Sequence, residues 1–248
     1  ADYYLSTLGE VLRLAIPAKI LKKYEPVKKT VESRVLIKAL PPTYYQSYAI
    51  DRILRALKKK QFKTFLLYGI TGSGKTEVYL KTMAEVMTEG GRGLVLVPEI
   101  SLTPLLLNRF KERFGNEAVT IHSGLTDKER RELWYAIKNG EYKIVIGPRS
   151  AIFLPIPDLK IIVIDEEHDH SYKEHQRTVK YNARDVAVMR GKIENIVVVL
   201  GSATPQIESY YNAGIGKYQL LTLKERIDKR PLPEVQIIDL KNETRKFL

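Results

Sequence analysis

Gly69-Ile70-Thr71-Gly72-Ser73-Gly74-Lys75-Thr76 follows the apolar run Phe65-Leu66-Leu67-Tyr68 and precedes a helical pattern over 76–89. The order is therefore strand, loop and helix, the context in which GxxxxGK[ST] makes a P-loop. Small residues let such a loop curl until its N–H groups point inward at phosphate oxygens. The helix behind it adds the positive end of its dipole. Gly69, Thr71, Gly72, Ser73, Gly74 and Glu77 are the expected nucleotide cradle. Lys75 is expected to reach the β- and γ-phosphates, and the Thr76 hydroxyl to hold Mg²⁺.

Outward from this loop, strands and helices alternate. Apolar runs at 65–68, 93–97, 118–121, 143–147, 160–164 and 196–200 read as strands. Helical patterns fill 45–60, 76–89, 103–113, 127–138, 183–191 and 205–212. Buried β-branched runs alternating with helices predict an α/β fold, a mostly parallel sheet with helices on both faces. Ligands of such sheets bind at the carboxyl ends of the strands, where the P-loop stands. Residues 217–240 look less regular, with a strand-like run at 235–240. Near the start, Leu5, Leu8, Val11, Leu12, Leu14 and Ala15 have helical spacing that Pro17 ends. Residues 25–42 read as a linker carrying one short strand at 35–39 and closing on Pro41-Pro42.

The length of 248 residues accommodates one large domain and an appendage. At 44% hydrophobic and 28% charged the chain has a globular composition. No apolar run approaches the roughly 18 residues that span a bilayer, so no membrane partner is expected. The absence of cysteine excludes disulfides and thiolate zinc sites in this chain and fits a cytoplasmic protein. Of the net charge of +12, residues 1–63 hold most, with 14 Lys and Arg against 5 Asp and Glu. That asymmetry suits a polyanionic partner, although a solvated lysine-rich face would give the same count.

Two further motifs carry chemistry. Ile161-Ile162-Val163-Ile164 runs into Asp165-Glu166-Glu167-His168, an apolar strand ending in carboxylates. This is the Walker B pattern, with Asp165 expected to bind Mg²⁺ and Glu166 to orient and deprotonate the attacking water. Lys75, Asp165 and Glu166 are thus the expected catalytic residues. The strand 196–200 ends in Gly201-Ser202-Ala203-Thr204-Pro205. Its Ser202 and Thr204 hydroxyls suit hydrogen bonds to the Walker B acids, although as a bare pentapeptide it also reads as a polar turn.

Together these motifs resemble the bacterial primosomal replication-restart helicases, the PriA family of superfamily 2. The likeness runs through Gly69–Leu80, Val97–Pro104, His122–Leu125, Ile164–Asp169, Tyr181–Asp185 and Gly201–Pro205, and covers roughly 43–222. It implies a RecA-like P-loop NTPase lobe over 43–222 that uses ATP and Mg²⁺. Residues 1–24 are then the tail of a fork-binding domain, 25–42 a linker, and 223–248 the start of a connection to a second lobe. Gln46 matches the family's adenine-reading glutamine; as a residue alone it is an ordinary helix glutamine. Arg149 and Ser150 fall where such motors hold the single-strand backbone. His168 would couple the Walker B element to the DNA side. In the aromatic-rich loop 169–184, Tyr172, Lys173, Lys180, Tyr181 and Arg184 would stack on bases or meet phosphates. Pro148, Leu105 and Val179-Lys180 depart from the family's usual residues.

The resemblance further implies a 3′-to-5′ DNA helicase of replication restart. Its partners would be single-stranded and forked DNA, other primosome proteins, a replicative helicase loader and single-strand binding protein. Zinc would belong only to a second part of the whole protein, and hydrolysis by this lobe alone would be weak. Two other readings stay open on the residues themselves: another superfamily 2 DNA or RNA translocase, and a nucleotide-dependent binding module.

Overall fold

The computed structural model describes residues 6–17, 41–98, 104–175 and 178–227. The strand expected at 35–39, the strand-like run at 235–240 and most of the 97–104 stretch lie outside the described residues.

Strands β1 (Lys63–Gly69), β2 (Arg92–Leu96), β3 (Ala118–Thr120), β4 (Ile144–Gly147), β5 (Leu159–Ile164), β6 (Val197–Ser202) and β7 (Gln219–Leu223) form one sheet. Its order is β3-β4-β2-β5-β6-β1-β7. Every strand pairing in it is parallel. Six of these strands coincide with the apolar runs. The seventh, β7, falls in a stretch that reads as irregular. It is an edge strand that buries Leu221 and Leu223 while Leu220 stays exposed and Thr222 between them half-buried, so it carries half the apolar signal of a central strand.

Period-2 alternation divides the strands between two cores. Phe65, Leu67, Val95, Ile161, Val163, Val197 and Val199 face one side. There they meet Ile53 of α2 (Tyr44–Lys58), Val78 and Met83 of α3 (Lys75–Thr88), and Phe110 of α4 (Pro104–Phe114). Leu66, Leu94, Ile162, Ile164, Val198 and Leu200 face the other. They pack against Ile137 of α5 (Asp127–Lys138) and Ala183 and Ala187 of α6 (Ala183–Glu194). A last helix, α7 (Ile207–Gly214), follows β6.

The N-terminal helix α1 (Leu8–Ala15) begins with a capping box, Thr7 and Glu10 satisfying each other's backbone N–H groups. It lies against the second core through Leu14. Trp134 Nε1 of α5 donates to the Ala15 carbonyl at 2.7 Å, which fixes the helix end.

Candidate active site

Because β6 lies between β1 and β5, their carboxyl ends bring three motifs to one edge. In register, Tyr68 pairs with Ser202 and Ile164 with Leu200. The P-loop, the Gly201-Ser202 end of β6 and the Asp165-Glu166 pair are neighbours by topology.

The loop is closed tightly. Ser73 N donates to Ile70 O at 3.0 Å, and Gly72 and Gly74 both adopt φ of +83°, which only glycine takes without strain. A Cβ at Gly69 would come within 2.5 Å of Ser73 Oγ. Lys75 is buried, its Nζ donating to Gly69 O at 3.0 Å and standing 3.9 Å from Glu166 Oε1. Gln46 is also buried. Its Oε1 accepts from Thr43 N at 2.9 Å in a capping box that starts α2, and its Nε2 donates to Ser73 O at 3.1 Å. The amide expected to read adenine therefore braces the P-loop backbone in this conformation. Thr71 and Gly72 are exposed at the loop tip, and Thr76 and Glu77 open α3 half-buried. Beyond β7, Ile227 N donates to Gly72 O at 3.0 Å, so the chain lies across the loop.

At the end of β5, Asp165 Oδ1 accepts from the Tyr79 hydroxyl at 3.0 Å. Asp165 is half-buried, yet desolvation and the adjacent Glu166 charge push its carboxyl up to about 6. Tyr79 and Lys75 oppose that rise. Glu166 has a φ of +46°, the left-handed region that an L side chain rarely enters, and such strain gathers at functional positions. Its Oε2 lies 3.6 Å from His168 Nδ1, which in turn is 2.8 Å from Ser202 Oγ. Thr204 N donates to the same Ser202 Oγ at 2.9 Å.

Glu167 is buried. Its oxygens accept from Gln206 N at 2.8 Å, Ser209 Oγ at 2.8 Å and Arg184 Nη1 at 3.3 Å. This pins the Walker B turn to the starts of α6 and α7. Composition alone hides Glu167, Gln206 and Tyr79. A usable signal for Tyr79 is its spacing: it follows Lys75 by four residues and so shares its helix face.

The residues expected to meet DNA divide into two groups. Lys173, Lys180 and Thr204 are exposed, and Ser150 is half-buried. Tyr172 and Tyr181 are buried, which departs from the expectation that they stack on bases. The Tyr172 hydroxyl donates to the carbonyls of Leu96 and Asp165, and the Tyr181 ring packs edge-on against Phe153. Arg149 and Arg184 are likewise turned inward. Arg149 donates to Ser171 O, Lys173 O and Glu174 Oε2 at 2.8–3.0 Å, and Arg184 to Glu167, Asp185 and Gln206. A tyrosine ring gains from burial when its hydroxyl finds an acceptor, and several carbonyls and a carboxylate offset the desolvation of a guanidinium, so residue type alone does not reveal direction. An open cleft of about 640 Å³ lies beside them, with Lys173, His175 and Lys180 among its lining residues.

Mg²⁺ takes oxygen donors, with one or two carboxylates supplemented by phosphates and water. The Thr76 hydroxyl and the Asp165 carboxylate are such donors. Next to them Ser73 Oγ is buried without a hydrogen-bond partner, while Glu77 Oε1 lies 3.9 Å from the Lys81 ammonium. An orphaned polar atom costs about 1–3 kcal/mol, and Ser73 Oγ borders a cradle of glycines. The donor set fits a phosphate-bound Mg²⁺.

A family model described as DEAD/DEAH box helicase matches residues 43–213. The chain is 44% identical over 236 residues to the replication restart protein PriA of Bacillus subtilis (strain 168), covering 95% of this chain and 28% of that relative. It is 46% identical over 201 residues to PriA of Chlamydia pneumoniae, covering 81% and 27%. The chain thus spans under a third of the length of either relative. Among solved structures, RecG bound to a three-way DNA junction matches with a TM-score of 0.58 at 22% identity, covering 84% of this chain and 27% of that one. The Pyrococcus furiosus Hef helicase domain matches with a TM-score of 0.52 at 17% identity, covering 76% and 39%. At those identities the likeness is one of fold.

Proposed function

The chain belongs to the DEAD/DEAH box helicase family, and on that premise we propose that it is the nucleotide-binding first motor lobe of an ATP-dependent DNA helicase of replication restart. The observation that carries this reading is the meeting of Lys75 and Glu166, 3.9 Å apart, at the carboxyl edge of one parallel sheet. Its similarity to PriA over most of its length supports the restart role.

In this reading the P-loop N–H groups and Lys75 hold the phosphates, and Gln46 holds the adenine edge once its amide turns from the Ser73 carbonyl. Thr76 and Asp165 hold Mg²⁺, which supplies charge neutralisation at the transferring phosphoryl group. Glu166 orients the attacking water and accepts its proton. The His168–Ser202 contact carries the state of Glu166 toward the DNA side, where Lys173, Lys180, Ser150 and Thr204 meet the strand. Arg149, Arg184, Tyr172 and Tyr181 act by shaping the loop.

Residues 43–222 form this lobe, with 1–24 and 25–42 as a fork-binding tail and linker and 223–248 leading to a second lobe. That lobe supplies the arginines that stabilise charge on the transferring phosphoryl, an effect of about 10³–10⁵ in rate. The whole protein translocates 3′ to 5′ along single-stranded DNA at forks in the cytoplasm, among other primosome proteins, a helicase loader and single-strand binding protein.

Hydrolysis by the 248-residue chain, with and without forked DNA, tests the reading. The expected result is ATP binding with negligible turnover. Robust DNA-stimulated turnover that Glu166→Gln abolishes would show that one lobe suffices, against the two-lobe reading. Absence of nucleotide binding would overturn the site itself.

A further inference from the structure

Tyr79 stands in none of the roles above, although it contacts their central carboxylate. The geometry points to Tyr79 as a positioning residue for Asp165: its hydroxyl holds one carboxylate oxygen, fixing the rotation that offers the other to a divalent cation. This rests on the nucleotide reading, which makes Asp165 a cation ligand.

The route the phenol takes is specific. Tyr79 lies in the first core on α3, one turn beyond Lys75, and its hydroxyl reaches Asp165 Oδ1 at 3.0 Å across the end of β6. Gly201 of β6 is what lets it pass. A Cβ at that position would stand 1.7 Å from Tyr79 Oη and 2.9 Å from its Cζ. Any side chain at 201 would evict the phenol. The glycine therefore serves this contact from within β6, and the contact ties the P-loop helix, β5 and β6 at one point.

The chemistry is also specific. Tyr79 is 2% exposed, so its O–H needs a protein acceptor. Tyr172, equally buried and close by, gives its proton to the backbone carbonyls of Leu96 and Asp165, a role that needs no particular side chain. Tyr79 gives its proton to the Asp165 carboxylate instead. Outer partners of this kind orient a ligand, and their loss typically reduces metal affinity about 10–100-fold. Phenylalanine would keep the ring and its packing and remove only the donor.

The test is a fluorescence titration of the 248-residue chain with a labelled ATP analogue, in EDTA and over a range of Mg²⁺ concentrations. For Tyr79→Phe, affinity in EDTA should stay within about twofold of the unsubstituted chain. The Mg²⁺ concentration that half-maximally tightens binding should rise about tenfold, the low end of outer-partner effects. Gly201→Ala should give a similar rise by displacing the ring, and the double variant should add little to either, as residues acting through one contact do. An unchanged Mg²⁺ requirement in Tyr79→Phe would overturn the inference. No nucleotide binding by the unsubstituted chain would instead overturn the nucleotide reading on which it rests.

Discussion

Arg92 and Lys75 are cations at opposite ends of the same sheet, and they differ in what their surroundings leave unmet. At the amino end, Arg92 Nη2 donates to Gly140 O at 2.9 Å, Nε to Tyr142 O at 3.2 Å, and Nη1 to Pro157 O and Asp158. Asn195, left-handed at φ +56°, joins the starts of β6 and β1 by accepting from Phe62 N and donating to Lys60 O. The left-handed Asn195 there has its side-chain amide bonded at both ends, although the buried Thr64 Oγ1 at the start of β1 has no hydrogen-bond partner. At the carboxyl end, Lys75 has one carbonyl and a carboxylate 3.9 Å away. Around it lie the orphaned Ser73 Oγ, a left-handed Glu166 and a carboxyl pushed up to about 6. One end of the sheet uses its polar groups in hydrogen bonds within the fold, and in the proposed reading the other keeps some of them for a ligand.

Substitutions at the two ends should therefore act in opposite directions. Arg92→Ala should have the largest effect, lowering stability by about 2–4 kcal/mol because several carbonyls lose their donor at once. A melt should show a drop of roughly 5–15 °C, with nucleotide affinity unchanged. Asp165→Asn should do the reverse and stabilise the nucleotide-free chain. The Asp165 carboxyl is raised to about 6 in the fold, so the folded state holds its proton while the unfolded chain releases it near pH 4. Wild-type stability accordingly falls as pH rises from about 4 through 6 and stays reduced above. The variant should gain about 1–3 kcal/mol at pH 8 and nothing at pH 4, measured by denaturant melts at both. Equal gains at both pH values would locate its effect elsewhere. Glu166→Gly should be smallest, gaining about 0.5–1 kcal/mol as the left-handed strain is relieved; a loss in the same melts would mean the glutamate side chain supports the turn.

Much of this contrast was legible in the residues, unevenly. Central strands announce themselves because burial on both faces demands continuous Val, Ile and Leu, as at 161–164 and 197–200. The edge strand β7 does not, since half of its residues face outward. The strand-end rule brings Lys75, Asp165, Glu166 and Ser202 to one edge before any coordinates are seen. Direction within the loop is another matter. Tyr172, Tyr181, Arg149 and Arg184 have the chemistry of DNA contacts, and only the fold shows the two rings buried and the two guanidinium groups turned toward carbonyls and acids. Tyr79 and Asp165 are 86 residues apart in the chain. No sequence spacing joins them, and Gly201 acquires its meaning only from the ring that passes over it.

The most direct measurement is a calorimetric titration of Mg·ATP into the chain, its Lys75→Ala variant and its Arg92→Ala variant, each paired with a thermal melt. The account predicts that Lys75→Ala loses about 100-fold or more in affinity, an interaction worth roughly 3 kcal/mol, while melting with the unsubstituted chain. Arg92→Ala should bind normally and melt early. A Lys75→Ala chain that binds Mg·ATP with unchanged affinity would contradict the assignment of the carboxyl edge as the nucleotide site.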